Sequence, residues 1–226
     1  MPAQTAELFP ELPVAEGRTC LAAGAWLLHG FALDEADALL AHIKAVEQAA
    51  PFRHLITPGG KRMSVAMSNC GRVGWHSDRA GYRYVEHDPV SGHAWPGMPA
   101  AFLSLAQRAA AEAGYDNFQP DVCLINRYQP GARLSLHQDR DEGGFEAPIV
   151  SVSLGVSARF LFGGQQRHDP CRRLPLGHGD VVVWGGPSRM AYHGIAPLAA
   201  SRHPATGALR YNLTFRTARK PGRQAG

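Results

Sequence analysis

The sequence predicts a mainly β domain of the α+β class, a sandwich, barrel or jelly roll with helices confined to its N-terminal half. Beyond Gln119, short apolar segments follow one another without a helical pattern between them, and turn pairs such as Pro130-Gly131 and Gly163-Gly164 separate them. The 25 glycines and 17 prolines of the 226-residue chain also indicate many turns. Short strands in regular succession are typical of these three architectures.

The helices and strands can be placed in order along the chain. A short strand at 25–28 is followed by a helix that begins at Asp34, whose carboxylate can cap the first turn, and ends before Pro51. A second helix begins near Pro99 and ends at Gly114. Each helix carries one apolar stripe, so we expect both to cover one outer face of the β core. Five later strands are predicted at residues 122–128, 149–154, 159–162, 180–184 and 210–216.

Two segments of the N-terminal half lack a regular pattern. Residues 1–18 resemble a loose lead-in. Residues 52–96 contain the turn Pro58-Gly59-Gly60 and short apolar pieces rich in Met, Gly, Tyr and Trp. This composition fits a hairpin-rich flap better than a layer of the core.

Composition and charge are those of one globular domain. Of all residues, 45% are apolar and 19% charged, and the formal net charge of +4 is compatible with polyanion binding without requiring it. Cys20, Cys70, Cys123 and Cys171 lie far apart, which favours reduced thiols over a disulfide framework or a zinc knuckle. No apolar run reaches the ~18 residues that a membrane span needs. We expect a soluble cytoplasmic protein and take it to be a monomer.

Two histidines and an aspartate form the most informative pattern of the chain. His137 and Asp139 lie two apart in an extended segment, so both can face one metal, and His193 can join them from a neighbouring strand. Three such ligands leave open coordination positions, as in non-haem Fe(II) oxygenases. Because the chain has eleven histidines, a His-x-Asp pair also arises by chance, and the spacing alone leaves the metal open.

Two predicted strands also carry a polar face that fits a small dicarboxylate. Turned outward, these side chains would form an ordinary solvated surface. Turned inward, the guanidinium groups among them can bind carboxylates in bidentate fashion. Together with iron ligands, such a pocket suggests 2-oxoglutarate as co-substrate. The alternating residues are Arg210, Asn212, Thr214 and Arg216 in the last strand and Asn126 and Tyr128 in the strand at 122–128.

Longer blocks of sequence surround these residues. They read Asn126-Arg-Tyr-Gln-Pro-Gly-Ala, Leu-Ser-Leu-His137-Gln-Asp139, Gly-Asp-Val-Val-Val-Trp184-Gly-Gly, Tyr-His193-Gly-Ile and Arg210-Tyr-Asn-Leu-Thr-Phe-Arg216. Together the blocks closely resemble the AlkB family of bacterial Fe(II)/2-oxoglutarate dioxygenases, which repair alkylated nucleic acid. The similarity runs from about residue 22 to residue 217, nearly the whole chain.

The resemblance implies a double-stranded β-helix, or jelly roll, with N-terminal helices and a nucleotide-recognition flap. Residues 1–118 would hold the helices and flap and residues 119–220 the dioxygenase core, in one compact structural unit. The cofactor would be Fe(II), with 2-oxoglutarate and O2 as co-substrates. Iron would be bound by His137, Asp139 and His193; 2-oxoglutarate by Asn126, Tyr128, Arg210, Asn212 and Arg216; and the substrate by Trp75, Tyr82, Arg83, Tyr84, Asp141 and Arg167.

The activity that the resemblance implies is oxidative demethylation of 1-methyladenine and 3-methylcytosine in DNA, with RNA as a second candidate. Trp75 and Tyr82 can stack on an extruded base or can pin the flap to the core. Lys61 and the run His76-Ser77-Asp78 depart from the family pattern, and we expect His76 to face solvent. Two alternatives stay open: a dioxygenase acting on a protein side chain or small molecule, and a non-catalytic zinc-holding module that binds damaged DNA.

Overall fold

The computed structural model describes residues 17–218. Of the predicted lead-in at 1–18, residues 1–16 lie outside the described residues and Arg18 already belongs to a strand; the basic residues Arg219, Lys220 and Arg223 also lie outside the described residues. The strands are β1 (Arg18–Ala22), β2 (Ala25–Leu28), β3 (Ala66–Gly71), β4 (Gly74–Asp78), β5 (Gly81–Val85), β6 (Val122–Tyr128), β7 (Leu134–His137), β8 (Ile149–Gly155), β9 (Ala158–Phe162), β10 (Arg172–Leu176), β11 (Val181–Trp184), β12 (His193–Ile195) and β13 (Arg210–Arg216). The helices are α1 (Ala36–Ala49) and α2 (Ala100–Glu112).

The strands form a jelly roll of two antiparallel sheets. The larger sheet has the order β1-β2-β11-β8-β13-β6-β3, and the smaller has the order β10-β9-β12-β7. Leu124 and Trp184 of the larger sheet pack with Phe160 of the smaller one in a shared core. The six strands predicted from the sequence are all present, with ends that differ by at most one residue. The predicted fold class is therefore confirmed.

Both helices pack on the outer face of the larger sheet, as predicted. Leu39 of α1 and Phe102 of α2 are buried in a second core together with Phe215 of β13. The prediction that Asp34 caps α1 is wrong, since no side-chain cap forms there. A 3-10 turn at Leu33–Glu35 precedes α1, and the Ala36 N–H donates to the Leu33 carbonyl. Backbone carbonyls of that turn thus take the place of a side-chain cap.

The segment at 52–96 is only partly a flap. Strand β3 pairs with β6 along its whole length, from Ala66 opposite Arg127 to Gly71 opposite Val122, and so belongs to the core sheet. Five of its six residues are buried, so no alternation of polar and apolar residues marked it as a strand. Strands β4 and β5 form a separate two-stranded hairpin, as the composition indicated.

The two predicted segments are joined through the larger sheet. That sheet takes β1, β2 and β3 from residues 1–118 and β6, β8, β11 and β13 from residues 119–220. The boundary between the segments stays a prediction. Within residues 17–218, all four cysteines are free thiols. In the same range, no helix is long and apolar enough to cross a membrane.

Candidate metal centre and dicarboxylate pocket

His137, Asp139 and His193 lie together at one end of the smaller sheet. Strand β7 places His137 directly opposite His193 of β12, and Asp139 follows two residues after β7 ends. Their candidate ligand atoms all lie within 4.8 Å of one another. Nε2 of His137 is 3.6 Å from Oδ1 of Asp139, and Nε2 of His193 is 3.8 Å from its Oδ2. Two imidazoles and one carboxylate thus converge on one point, as a divalent metal requires.

Backbone carbonyls orient both imidazole rings. Nδ1 of His137 lies 2.9 Å from the carbonyl oxygen of Ser135, and Nδ1 of His193 lies 3.0 Å from that of Ala191. A carbonyl only accepts, so each Nδ1 carries the proton and donates it. Each Nε2 is then left as a lone-pair donor that faces Asp139. Such outer hydrogen bonds fix the tautomer that a metal needs.

The charge of Asp139 is held by its neighbours. Burial raises the pKa of this carboxyl, but Arg216 and the two imidazoles outweigh burial and hold the pKa well below its usual range. Nε and Nη2 of Arg216 lie 2.8 and 2.7 Å from Oδ2 of Asp139. Asp139 is therefore a fixed anion that can serve as a metal ligand.

His193 is the more enclosed of the two histidines. Its side chain is 7% exposed against 33% for His137, so only His137 faces the opening of the site. The ring of Trp184 lies 4.8 Å from the His193 ring, centroid to centroid. Burial, followed by the nearby His137, lowers the pKa of His193 to about 3. The imidazole is therefore neutral at physiological pH, as ligation demands.

Arg210 provides the strongest sign of an anion site. Its side chain is fully buried, and Nη2 donates to the Ser153 hydroxyl at 2.9 Å. Nε and Nη1 have no acceptor among the described residues. Burial lowers the pKa of Arg210 to about 10, which still leaves it charged at neutral pH. A buried cation with two unsatisfied donors is costly unless an anion joins it, and a carboxylate fits the geometry of a guanidinium edge.

The neighbours of Arg210 on the inner sheet face are polar as well. Strand β6 sets Tyr128 opposite Arg210 and Asn126 opposite Asn212. The Asn212 amide donates to the Ser151 hydroxyl at 2.8 Å, and Oδ1 of Asn126 has no donor among the described residues. The alternation predicted for β6 and β13 thus turns inward. This strip places polar side chains along one inner face of the sheet, from Tyr128 beside Arg210 to Asn126 and Asn212.

A buried network that sequence reasoning missed supports the cluster from behind. Glu142 accepts a hydrogen bond from the Tyr84 hydroxyl at 2.7 Å, and Nη2 of Arg189 lies 3.3 Å from its other oxygen. Nε of Arg216 lies 3.4 Å from Glu142, and Nη1 of Arg189 donates to the Asp139 carbonyl at 3.2 Å. No local pattern indicates these roles, because the residues come from segments that are far apart in the chain. Ser151 and Ser153 could have been found, since they alternate with valines in a predicted inner strand.

The β4–β5 hairpin contributes an aromatic pair. The Trp75 and Tyr82 rings stack at 5.6 Å with an interplanar angle of 15°. The indole Nε1–H of Trp75 donates to Oδ2 of Asp141 at 2.8 Å, which ties the hairpin to the segment after the metal cluster. Tyr82 is 47% exposed. The pair therefore both joins the hairpin to the core and presents aromatic surface at the opening.

The remaining hairpin residues face other partners. Arg83 forms a two-point ion pair with Asp78, with distances of 2.8 and 2.6 Å. The expectation that His76 faces solvent is wrong, because the residue is buried. Burial, and then the charge of Arg83, lowers its pKa. Its neighbours in β4 are also at least partly buried, with Ser77 2% exposed, so this strand of the hairpin is covered on both faces.

One cavity of about 710 Å³ connects the cluster, the polar strip and the aromatic pair. Three predicted site residues do not line it: Arg210 lies behind its wall, and Arg83 and Tyr84 contact Asp78 and Glu142 instead. Arg167 sits at the edge, with its guanidinium 5.3 Å from the Tyr192 ring. The predicted residues that line the cavity are Trp75, Tyr82, Asn126, Tyr128, His137, Asp139, Asp141, Arg167, His193, Asn212 and Arg216.

Fold and site together define a class of protein. A jelly roll that brings two imidazoles and a carboxylate together, beside a buried arginine lacking its anion, has the features of an Fe(II)/2-oxoglutarate-dependent dioxygenase. The model of the 2OG-Fe(II) oxygenase superfamily matches residues 24–216. The alpha-ketoglutarate-dependent dioxygenase AlkB of Escherichia coli strain K12 is 60% identical over 200 residues, which cover 88% of this chain and 93% of that protein. The chain belongs to the AlkB family of the 2OG-Fe(II) oxygenases.

More distant relatives agree with this assignment. The DNA N(6)-methyladenine demethylase ALKBH1C of Arabidopsis thaliana is 36% identical over 160 residues, covering 59% of this chain and 35% of that protein. The solved structure of OsALKBH1 superimposes with a TM-score of 0.78 at 27% identity, over 88% of this chain and 99% of that one. The enzyme therefore uses Fe(II), with 2-oxoglutarate and O2 as co-substrates.

Proposed function

We propose that this enzyme oxidatively demethylates 1-methyladenine and 3-methylcytosine in DNA and so reverses alkylation damage directly. The observation that carries the proposal is the single cavity in which Trp75, Tyr82 and Asp141 lie together with the His–Asp–His cluster. An aromatic surface and a hydrogen-bond acceptor beside a metal cluster suit an extruded base. The DNA demethylase of Arabidopsis thaliana among its relatives supports nucleic acid as the substrate class.

In this proposal the cluster holds the iron. His137 and His193 bind through Nε2 and Asp139 through its carboxylate. Bound Fe(II) supplies the oxidation of the N-methyl group by O2, coupled to decarboxylation of 2-oxoglutarate to succinate and CO2. The oxidised methyl group leaves as formaldehyde and the base is restored. Arg216 holds the Asp139 carboxylate and Arg189 holds its backbone, so the ligand keeps its position during turnover.

The co-substrate lies along the inner face of β13. Arg210 binds the distal carboxylate through Nη1, which lacks an acceptor among the described residues and shares one edge of the guanidinium with Nη2. Tyr128, Asn126 and Asn212 contact the chain and carbonyl groups between the two ends. Arg216 offers its remaining donor, Nη1, to the end nearer the metal, since its other nitrogens face Asp139 and Glu142.

The substrate base enters from the side of the hairpin. Tyr82 covers one face of the Trp75 ring, so the base stacks on the opposite face, towards His137. Oδ1 of Asp141 accepts a hydrogen bond from the exocyclic amino group of adenine or cytosine. A methylated Watson–Crick edge pairs poorly, and extrusion of such a base therefore costs less than extrusion of a normal one.

The other predicted substrate residues act at the edges of this site. Arg167 contacts a backbone phosphate at the rim of the cavity. In this proposal Arg83 and Tyr84 support β5, through Asp78 and Glu142 respectively, and do not contact the base.

The test is anaerobic reconstitution with Fe(II) and 2-oxoglutarate, followed by air and an oligonucleotide that contains 1-methyladenine. We expect succinate and formaldehyde in equal amounts, and loss of both products in His137→Ala and Asp139→Ala. Turnover that persists in either variant would contradict the assigned ligands. Coupled turnover of a free amino acid without turnover of the oligonucleotide would contradict the substrate. The same lesion in an RNA oligonucleotide ranks the second candidate substrate.

We also propose that the enzyme is a cytoplasmic monomer. Free thiols at Cys20 and Cys171, neither of which is buried, support a reducing compartment. Cell fractionation and light scattering test the two statements separately.

A further inference from the structure

A second cavity, of about 520 Å³, lies on the outer side of the smaller sheet. Its lining contains no acidic residue and four arginines, Arg133, Arg159, Arg167 and Arg173. We call this cavity the arginine groove. The groove lies on the outer side of the smaller sheet, whereas the proposed 2-oxoglutarate site lies on the inner face of β13, and the charge of the groove calls for a polyanionic ligand.

The smaller sheet determines on which face Arg159 and Arg173 lie. Register pairs Arg173 of β10 with Leu161 of β9, two residues beyond Arg159. Phe160 and Phe162 alternate with these positions and are buried in the core. Since side chains alternate along a strand, Arg159 and Arg173 project from the opposite, solvent-facing side. The two residues therefore lie diagonally from each other on neighbouring strands, on the same outer face.

No carboxylate of the described residues compensates the charge of the groove. All four arginines are exposed, and none forms an ion pair with a carboxylate anywhere in residues 17–218. By contrast, Arg53, Arg83, Arg127, Arg189 and Arg216 each pair with an acidic side chain. Four like charges in one concavity repel one another, and an anionic ligand with repeated charges would relieve that repulsion.

The groove is continuous with the active-site cavity. Arg133, Arg167 and Ile195 line both cavities. Tyr192, over which the Arg167 guanidinium lies, also lines the active-site cavity. A nucleic acid strand that places one base beside His137 would therefore run its next phosphates past Arg133 and Arg167 and into the groove.

We propose that the arginine groove binds the backbone phosphates of the lesion-bearing strand on one side of the extruded base, with Arg159 and Arg173 as the outer contacts. This inference rests on the proposed function, because it takes a nucleic acid strand as the substrate. Guanidinium groups bind phosphodiesters regardless of sequence, so the groove adds affinity and register without base preference.

The test compares two double variants of equal charge. Arg159→Gln/Arg173→Gln removes the outer contacts of the groove. Arg72→Gln/Arg202→Gln removes two exposed arginines that line neither cavity. Binding of single-stranded oligonucleotides is measured against salt concentration with Mn(II) and 2-oxoglutarate present, by fluorescence anisotropy. All oligonucleotides contain the same trinucleotide with 1-methyladenine in its middle position. One is the trinucleotide alone, and the others extend it on the 5′ side only, on the 3′ side only, or on both sides.

We expect the groove variant to reduce the slope of log affinity against log salt by up to about 1.4, since each phosphate contact on a single strand contributes about 0.7. The slope should fall for oligonucleotides extended on one of the two sides, 5′ or 3′, and should stay unchanged for those extended only on the other side. Binding and turnover of the trinucleotide should be unchanged, and the control variant should keep the wild-type slope.

Three results would overturn the inference. Equal slopes for the two double variants would make the groove an ordinary solvated surface. A loss that also appears with the trinucleotide would place the effect at the active site. Displacement of bound oligonucleotide by an acidic peptide from wild type but not from the groove variant, with equal salt slopes for the two double variants, would point to a protein partner. Failure of the proposed function can be distinguished from failure of this inference. In that case the wild-type protein would bind the strands without oxidising the methylated base, and the salt slopes of the two double variants would still decide whether the groove binds phosphates.

Discussion

Strand β13 carries a buried arginine near each end, and the two differ in what they contact. Arg216 is surrounded by anions, with Asp139 at 2.7 Å and Glu142 at 3.4 Å. Arg210 donates to a neutral hydroxyl and keeps two donors without an acceptor among the described residues. In the sequence both are simply arginines on one strand face. Arg216 is therefore part of the protein's own ion network, whereas the unsatisfied donors of Arg210 support the proposal that it binds an anion from outside.

This contrast divides the site into a self-supporting half and a half that a ligand completes. At the metal end, Arg216, Glu142 and Arg189 fix Asp139 before any metal arrives. At the Arg210 end, burial of an uncompensated charge opposes folding, and binding of a dicarboxylate removes the penalty. Loss of Arg216 should therefore lower the stability of the ligand-free protein, whereas loss of Arg210 should lower only the affinity for the dicarboxylate.

The largest effect on stability is expected for Arg216→Met. The change leaves Asp139 and Glu142 buried near each other with one fewer cation, and removal of one partner from a buried ion pair costs about 3–5 kcal/mol. Urea unfolding of the metal-free protein measures this loss. Arg216→Lys serves as control, because it keeps the charge and should recover part of the stability. A Met variant as stable as wild type would show that Asp139 does not depend on Arg216.

The opposite pattern is expected for Arg210→Met. Replacing an unpaired buried charge with an apolar side chain of similar length should leave the stability of the ligand-free protein equal or higher. Affinity for 2-oxoglutarate should fall by about 2–5 kcal/mol, at least 30-fold. Calorimetric titration with Mn(II) in place of iron measures the affinity, and the urea transition measures the stability. Destabilisation of the ligand-free protein as large as that of Arg216→Met would remove the distinction between the two ends.

Strand periodicity predicted the polar strip well but not its electrostatics. Alternation in residues 210–216 and 122–128 placed Arg210 and Asn126 on one face, because a strand turns every second side chain the same way. The sequence could not tell which arginine is paired, since Asp139 and Glu142 come from a segment about seventy residues earlier. Long-range contacts of this kind leave no local pattern.

The hairpin was the part of the fold least accessible to sequence. Pro58-Gly59-Gly60 and the mixed composition indicated turns, yet β3 escaped recognition because both its faces are buried. Stacking of Trp75 on Tyr82 depends on the register of β4 with β5, which pairs Trp75 with Tyr84 and Ser77 with Tyr82. No single-residue signal fixes that register.

A smaller effect, on substrate affinity, is expected for Trp75→Phe. The variant keeps an aromatic ring beside Tyr82 but loses the Nε1–H that donates to Asp141. The net worth of one such hydrogen bond is about 0.5–1.5 kcal/mol, so KM for the oligonucleotide should rise about 2- to 10-fold with kcat nearly unchanged. Tyr82→Phe is the matched control, since it retains the ring and should leave KM alone. A fall in kcat at constant KM would instead assign Trp75 to the chemical step.

The smallest effect is expected for Arg83→Gln, and it sharpens the comparison with the buried arginines. Arg83 pairs with Asp78, but both side chains are more than a third exposed, and exposed pairs of this kind contribute little to stability. We expect an unchanged melting temperature and an unchanged KM for the trinucleotide substrate. Asp78→Asn is the informative partner variant, because it releases Arg83 from its ion pair. If Arg83 itself binds the substrate, KM should fall in Asp78→Asn and rise in Arg83→Gln. If Arg83 only holds β5, KM should stay unchanged in both variants. A guanidinium already engaged at two points by a carboxylate has few donors left for a phosphate, which favours the second outcome.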